Sequence, residues 1–179
     1  MPDDKELVER SLRGDAQAFE GLVNRYQEPV YRVVRRFLGN REDALEISQE
    51  TFARAYQKLQ TFDLSRKFST WIFTVAANLA RDVLRRKKRR PEILETEMLH
   101  SLPGGDRPER TASMREEAER LRAAVETLSE EKRMAVVLRY FEGLPIAEIS
   151  EITRTEVSTL KVRLFRARKE LMKMLEEKP

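Results

Sequence analysis

The stretch FSTWIFTVAANLARDVLRRKKRR, residues 68–90, decides how the rest of the chain is read. Trp71, Ile72, Val75, Ala76, Leu79, Val83 and Leu84 recur at helical spacing, which predicts a helix with one buried face. Thr70, Thr74, Asn78, Arg81, Asp82 and Arg85 share the other face, and the stretch closes on six consecutive bases, Arg85–Arg90. An aromatic start, a polar face and a basic end are the parts needed to stack on bases and follow a phosphate backbone. A core helix with a solvated, lysine-rich tail has the same pattern, because charge runs are often only solvated. The stretch alone leaves both readings open.

Working outward, the 179 residues suffice for one domain or two small ones. Charged residues make up 37%, above the usual level of about 25%, so much of each helix must face solvent. The chain has no Cys, which excludes disulfides, thiolate zinc sites and a cysteine nucleophile. His100 is the only histidine, which argues against a His-centred metal site or catalytic triad. A Gly-rich phosphate loop is also missing, so the expectation is a protein with no enzyme activity, catalytic residues, metal or cofactor. No apolar run approaches a membrane span, and the acidic MPDDKELVER lacks a signal-peptide core. A cytoplasmic protein without membrane insertion is expected.

The net charge of +4 hides a polarised distribution. Residues 1–90 carry a net +6 and residues 91–115 a net −2. Residues 116–151 hold nine acids against five bases, whereas 154–169 hold six bases against one acid. Two basic patches separated by acidic sequence suggest two contacts with a polyanion.

Helical periodicity runs almost throughout. A short helix fits residues 4–13, ending at Gly14, and Asp15 is a suitable N-cap for the next. That second helix keeps its apolar stripe in phase through Pro29 to Leu38, and Gly39 and Asn40 close it. A third helix fits Glu42–Gln60, with Ala44, Ile47, Thr51, Ala55 and Leu59 on one side. Its outward stripe of Glu46, Gln49, Glu50 and Arg54 is either a solvated face or a docking face. Residues 61–67 break the pattern, and Ser69 or Thr70 can cap the helix quoted above. Residues 91–112, with Pro91, Pro103, Pro108, Gly104 and Gly105, read as a flexible linker. Helices resume at Ser113, and Ser129 and Gly143 mark a helix start and end. No strand pattern occurs, so the fold class is all-α, with two small helical domains joined by the linker.

The second domain ends in a helix-turn-helix pattern. Ile146, Ile149 and Ile152 form a short apolar face, Thr153–Thr155 a turn, and Val157, Leu160, Leu164, Ala167 and Leu171 the buried side of a longer helix. Thr155 can cap that helix. Ser158, Lys161, Val162, Phe165 and Arg166 lie opposite, where a recognition helix meets the major groove. An ordinary helical hairpin with a basic face is the plainer reading, but the bases cluster where a recognition helix needs them. Glu156 is the one acid near that end.

With these motifs in order, the chain resembles a bacterial RNA polymerase sigma factor of the extracytoplasmic-function (ECF) group of the sigma-70 family. ALEISQETFARAYQKL, residues 44–59, resembles region 2.2; FSTWIFTVAANLARDVLRR, residues 68–86, resembles regions 2.3 and 2.4. LRYFEGLPIAEISEI and VSTLKVRLFRARKEL, residues 138–152 and 157–171, resemble region 4. The resemblance implies a region 2 domain over residues 1–90, a linker over 91–112 and a region 4 domain over 113–179. It implies core RNA polymerase as partner, through its β′ coiled coil and β subunit, with Glu46, Gln49 and Glu50 docking and Phe52 as packing support. It implies promoter DNA as partner, both as duplex and as non-template single strand. For the minus-ten element the matching residues are the loop Phe62, Asp63, Leu64, Ser65, Arg66, Lys67, Phe68 and Ser69, followed by Thr70, Trp71, Asn78, Arg81 and Arg85. For the minus-thirty-five element they are Arg154, Thr155, Ser158, Thr159, Lys161, Val162, Arg163, Phe165 and Arg166. An anti-sigma factor is implied as a further partner. Two other functions fit parts of the sequence: an autonomous helix-turn-helix regulator, and a sigma mimic that binds an anti-sigma factor. The first leaves residues 1–90 without a role, and the second has no need of two basic faces.

Overall fold

The computed structural model describes residues 2–89 and 112–176. Eight α-helices and no strand occur among them. The expected linker lies outside the described residues, except for Ala112 at its end, as do Arg90 and His100.

Helices α1 (Asp4–Leu12), α2 (Ala16–Leu38) and α3 (Arg41–Lys58) start on side-chain caps. The carboxylates of Asp3 and Asp15 accept from the amides of Glu6 and Ala18 at 2.8 and 3.1 Å. Asn40 accepts from the amide of Asp43 at 2.8 Å, so it opens α3 where the sequence suggested a role in closing α2. The closing residue is Gly39, at φ 84°, whose amide donates to the Arg35 carbonyl at 3.0 Å. Pro29 lies inside α2 without ending it, because packing of the in-phase stripe outweighs one missing amide. The α-helical part of α3 stops at Lys58, and Leu59–Thr61 tighten into a 3-10 turn that leaves Leu59 buried.

Helix α4 (Phe68–Arg89) is the quoted stretch, and its burial differs from a single stripe. Ile72, Ala76, Leu79 and Val83 are buried as the spacing predicted. Phe68, Thr70, Phe73, Ala77 and Ala80 are buried too, whereas Trp71, Val75 and Leu84 are only partly so. The cause is a second neighbour: α2 and α3 pack on α4, and so does α7 (Ile146–Thr153). The helix begins at Phe68, so Ser69 and Thr70 lie inside it and do not cap it. Phe68 anchors that start by packing against Tyr26, Phe62 and Trp71 with ring centroids 5.5–5.8 Å apart.

Helices α5 (Ala112–Thr127), α6 (Glu130–Val136), α7 and α8 (Val157–Glu176) form the second half. Between α6 and α7 the chain makes one π-helical turn, Val137–Phe141, which the sequence pattern did not signal. Leu160, Leu164 and Ala167 of α8 are buried as expected; Val157 is 41% exposed, because the helix starts there, clear of α6 and α7.

The halves share one continuous apolar cluster. Polar contacts reinforce it: Arg133 donates to the Phe37 carbonyl at 2.8 Å, and Glu142, with 6% of its side chain exposed, meets Arg32 at 2.9 Å and Arg36 at 3.5 Å. Burial lowers the pKa of Arg36, with the Glu142 carboxylate acting in the other direction.

Replacing Gly39 by Ala should cost about 1–2 kcal/mol, because an L-residue is strained at this φ, while its methyl would only touch the Glu126 carboxylate at an ordinary 3.5 Å. Urea unfolding of G39A checks this, and an unchanged midpoint would contradict it.

Candidate nucleic-acid interface and docking groove

Three surfaces collect the residues that the sequence singled out. The first is the outer side of α3. Ala44, Ile47, Thr51 and Ala55 face the core, which turns Glu46 and Gln49 to solvent and leaves Glu50 half-exposed. Phe52 is buried beneath them. Arg54 holds Glu50 at 2.6 Å. Leu79 and Arg86 of α4 complete a shallow groove of about 400 Å³ with these residues. Sequence spacing within α3 could not show that Arg86 joins this acidic face. Leu45 is exposed beside it.

The second surface is the 62–69 loop with α4. Phe62 and Phe68 point into the core, so the loop is hung on two buried rings. Between them Asp63 accepts from the Ser65 amide at 2.9 Å, and Arg66 donates back to the Asp63 carbonyl at 3.0 Å. Ser65 holds the Asp63 carboxyl below the usual range. This local turn supplies the shape that a glycine-free loop needs. Leu64, Ser65, Arg66 and Lys67 are exposed at its tip, and Ser69 is half-buried. The loop roofs a cavity of about 550 Å³, floored by Asp3, Asp4, Arg25 and Tyr26. Tyr26 donates its hydroxyl to Asp4, which also pairs with Arg25. Burial, and then the Asp4 acceptor, push the Tyr26 pKa well above its ordinary value. Sequence reasoning missed this floor, because Tyr26 sits in phase with the α2 core stripe and Asp4 lies 58 or more positions before the loop.

Along α4, Asn78 and Arg85 are exposed and Arg81 is half-buried. Trp71 is half-buried against Phe62, with centroids 5.1 Å apart. Thr70 is buried, and its hydroxyl lies 3.4 Å from Glu148 of α7. Positions 70, 74, 78, 81 and 85 fall on one side of the helix over about 22 Å. Burial lowers the pKa of Arg81, as do the Arg85 and Arg163 charges, while Glu130 and Glu131 oppose them. The terminal bases are not all bare: Lys87 pairs with Asp43 at 2.6 Å and Lys88 with Glu130 at 2.5 Å.

The third surface is the α7–α8 unit. Arg154 takes the left-handed conformation, φ 51°, at the end of α7. Its amide and that of Thr155 turn back to the carbonyls of Glu151 and Ser150 at 3.3 and 3.1 Å, and Ser150 donates to the Thr155 carbonyl at 2.6 Å. The turn is therefore closed by two backbone amides and the Ser150 hydroxyl. The Thr155 hydroxyl donates to Thr153 at 3.3 Å and accepts from Arg163 at 3.2 Å. Ser158, Thr159, Lys161, Val162, Phe165 and Arg166 are all exposed on α8. Ser158, Thr159, Val162, Arg163 and Arg166 line one groove of about 420 Å³ against α6. Arg163 is the exception to an outward basic face, because it is tied to Glu131 at 3.0 Å with only 18% of its side chain exposed.

The arrangement combines a polar groove of paired acids and arginines, a loop-lined pocket beside a polar helix, and a helix-turn-helix with an exposed basic helix. Residues 22–90 match the family described as Sigma-70 region 2, and residues 118–171 match Sigma-70, region 4. The chain is 34% identical to the ECF RNA polymerase sigma factor SigW of Bacillus subtilis, over 97% of each chain. It is 35% identical to the RNA polymerase sigma-H factor of Pseudomonas aeruginosa, over 97% of this chain and 94% of that one. In fold it is similar to the sigma factor RpoE of Bartonella quintana, solved in complex with the anti-sigma factor NepR, with a TM-score of 0.77 and 18% identity over 92% of this chain and 100% of that one. The chain belongs to the ECF group of sigma-70 family RNA polymerase sigma factors, and so to the transcription initiation factors. Among the described residues no helix is long and apolar enough to cross a membrane.

The differing states of the α8 bases separate their roles. The double variant K161A/R166A should lower the slope of log K against log salt for duplex binding by about 2, since each freed phosphate contact contributes about 0.9. R163A should change that slope less and instead lower the melting temperature. Equal slope changes at all three positions would contradict the assignment.

Proposed function

We propose that the chain directs core RNA polymerase to promoters and opens them, using the three surfaces in sequence. The outer α3 groove, with Glu46, Gln49 and Glu50 over a buried Phe52, docks on the polymerase β′ coiled coil, and the second half reaches the β subunit. Glu46, exposed on the groove's rim, offers a carboxylate to a basic group of the partner. The loop Phe62–Ser69 and the α4 residues Thr70, Trp71, Asn78, Arg81 and Arg85 bind the displaced non-template strand of the minus-ten element. Flipping a base costs a few kcal/mol, which the loop-roofed cavity and stacking can offset. The exposed face of α8, with Arg154 and Thr155 at the turn, reads the minus-thirty-five duplex from the major groove. Residues 1–90 and 113–179 act as the two functional units, and residues 91–112 connect them.

The observation that carries this reading is the exposed Asn78 and Arg85 running from a loop-lined pocket toward basic sequence, with a polar groove on the neighbouring helix. An autonomous regulator would need α8 but neither of the other surfaces. The chain performs no chemistry of its own; phosphoryl transfer belongs to the polymerase. It works in the cytoplasm, where polymerase and promoter are. The complex of the Bartonella relative with NepR supports an anti-sigma factor as a further partner.

Transcription in vitro with purified core polymerase and a promoter library tests the function. Adding the chain should yield discrete promoter-dependent transcripts, and their absence with active core would overturn the reading. The variant E46K/E50K should reduce transcript yield at least about tenfold, since juxtaposed like charges cost several kcal/mol, while leaving the melting temperature nearly unchanged.

A further inference from the structure

The acids of α7 lie against the cations of the single-strand loop. Lys67 meets Glu148 at 2.6 Å and Arg66 meets Glu151 at 2.7 Å. Glu148 also lies 3.4 Å from the Thr70 hydroxyl and has only 13% of its side chain exposed. Three positions of the proposed minus-ten reader are thus engaged by one short helix of the other half. The geometry is that of carboxylates standing where phosphates would stand: anionic oxygens within hydrogen-bond distance of an ammonium, a guanidinium and a hydroxyl. Meanwhile Ser158, Lys161, Phe165 and Arg166 of α8 remain exposed.

We infer that Glu148 and Glu151 act as an intramolecular competitor of nucleic acid, closing the single-strand reader in the free chain while leaving the duplex reader open. The inference rests on the loop and α4 being that reader. Single-stranded DNA and α7 cannot both hold Lys67 and Arg66, so each binds at the expense of the other. Any partner that separates the halves therefore raises affinity for an unpaired strand without touching it. The Arg66–Glu151 pair is exposed on both sides and weak, whereas Glu148 is mostly buried, so the closed form is held by the two pairs together with the apolar contact of α4 and α7.

The lack of any natural cysteine allows a direct test on the full chain. Spin labels on Q57C and M172C, both at exposed sites, report the distance between the halves by pulsed electron resonance. A fluorescein-labelled randomised 12-nucleotide single strand serves as the binding probe. E148Q/E151Q should broaden the distance distribution to longer values and tighten probe binding about 3- to 10-fold, the release of roughly one weak pair per site. E117Q/E119Q, which changes net charge equally at exposed positions, should do neither. The swap R66E/K67E/E148K/E151K should return the distance to that of the unsubstituted chain. An unchanged distance in E148Q/E151Q overturns the closure. A longer distance with affinity no better than in E117Q/E119Q also overturns the competition, and points to the assignment of the reader as the fault. Transcription by the unsubstituted chain is independent of both results.

Discussion

Helix α4 is packed from two directions, and the rest of the molecule depends on that constraint. On one flank α2 and α3 pack on the helix, whose Ile72, Ala76, Leu79 and Val83 are buried. On the other, α7 covers the Thr70 side. Fully burying a large apolar side chain contributes about 1.5–3 kcal/mol, so the first contact is not negotiable for folding. The second combines an apolar contact with ion pairs that water and salt weaken. The same helix therefore has apolar neighbours on one flank and a neighbour held partly by ion pairs on the other. A strand-reading surface can lie on α4 because its packing on α2 and α3 uses only part of the circumference.

This division explains how the functional surfaces stay apart yet linked. The polar groove lies across α3 from the core, and Arg86 at the end of α4 helps to line it. The cavity at the start of α4 is roofed by the loop and floored by α1 and α2. About five helical turns separate the two ends, so one helix fixes the distance between the groove and the pocket. The α8 helix belongs to a unit joined to the first half by the Glu142 contacts and by Arg133 capping α2. Breaking the buried Glu142 pair would leave a charge without compensation, so that seam is the firmer of the two.

Most of the helices were legible from the sequence because each carries an unbroken apolar stripe and a cap of known chemistry, Asp15 and Gly39 being clear cases. The outward groups Glu46, Gln49, Asn78 and the α8 face were legible for the same reason: period 3.6 fixes which residues cannot be inside. What periodicity could not supply was contact between distant segments. Thr70 reads as outward until α7 is placed over it, and Arg163 reads as a phosphate ligand until Glu131 is found beside it. Tyr26 and Asp4 were hidden as core stripe and surface charge until the loop closed over them. The π-helical turn at Val137–Phe141 had no local signature, since it differs from α-helix by one residue per turn.

The central claim is that α4 holds an unpaired promoter strand, with Asn78 at the middle of its exposed face. Permanganate oxidation of unpaired thymines, on a promoter incubated with core polymerase and the chain, measures that strand opening directly. The account predicts strong thymine reactivity upstream of the start site with the unsubstituted chain, and reactivity reduced about tenfold with N78A at equal occupancy of the promoter. Equal reactivity in the two complexes would contradict it, and would return Asn78 to the role of a solvated helix residue.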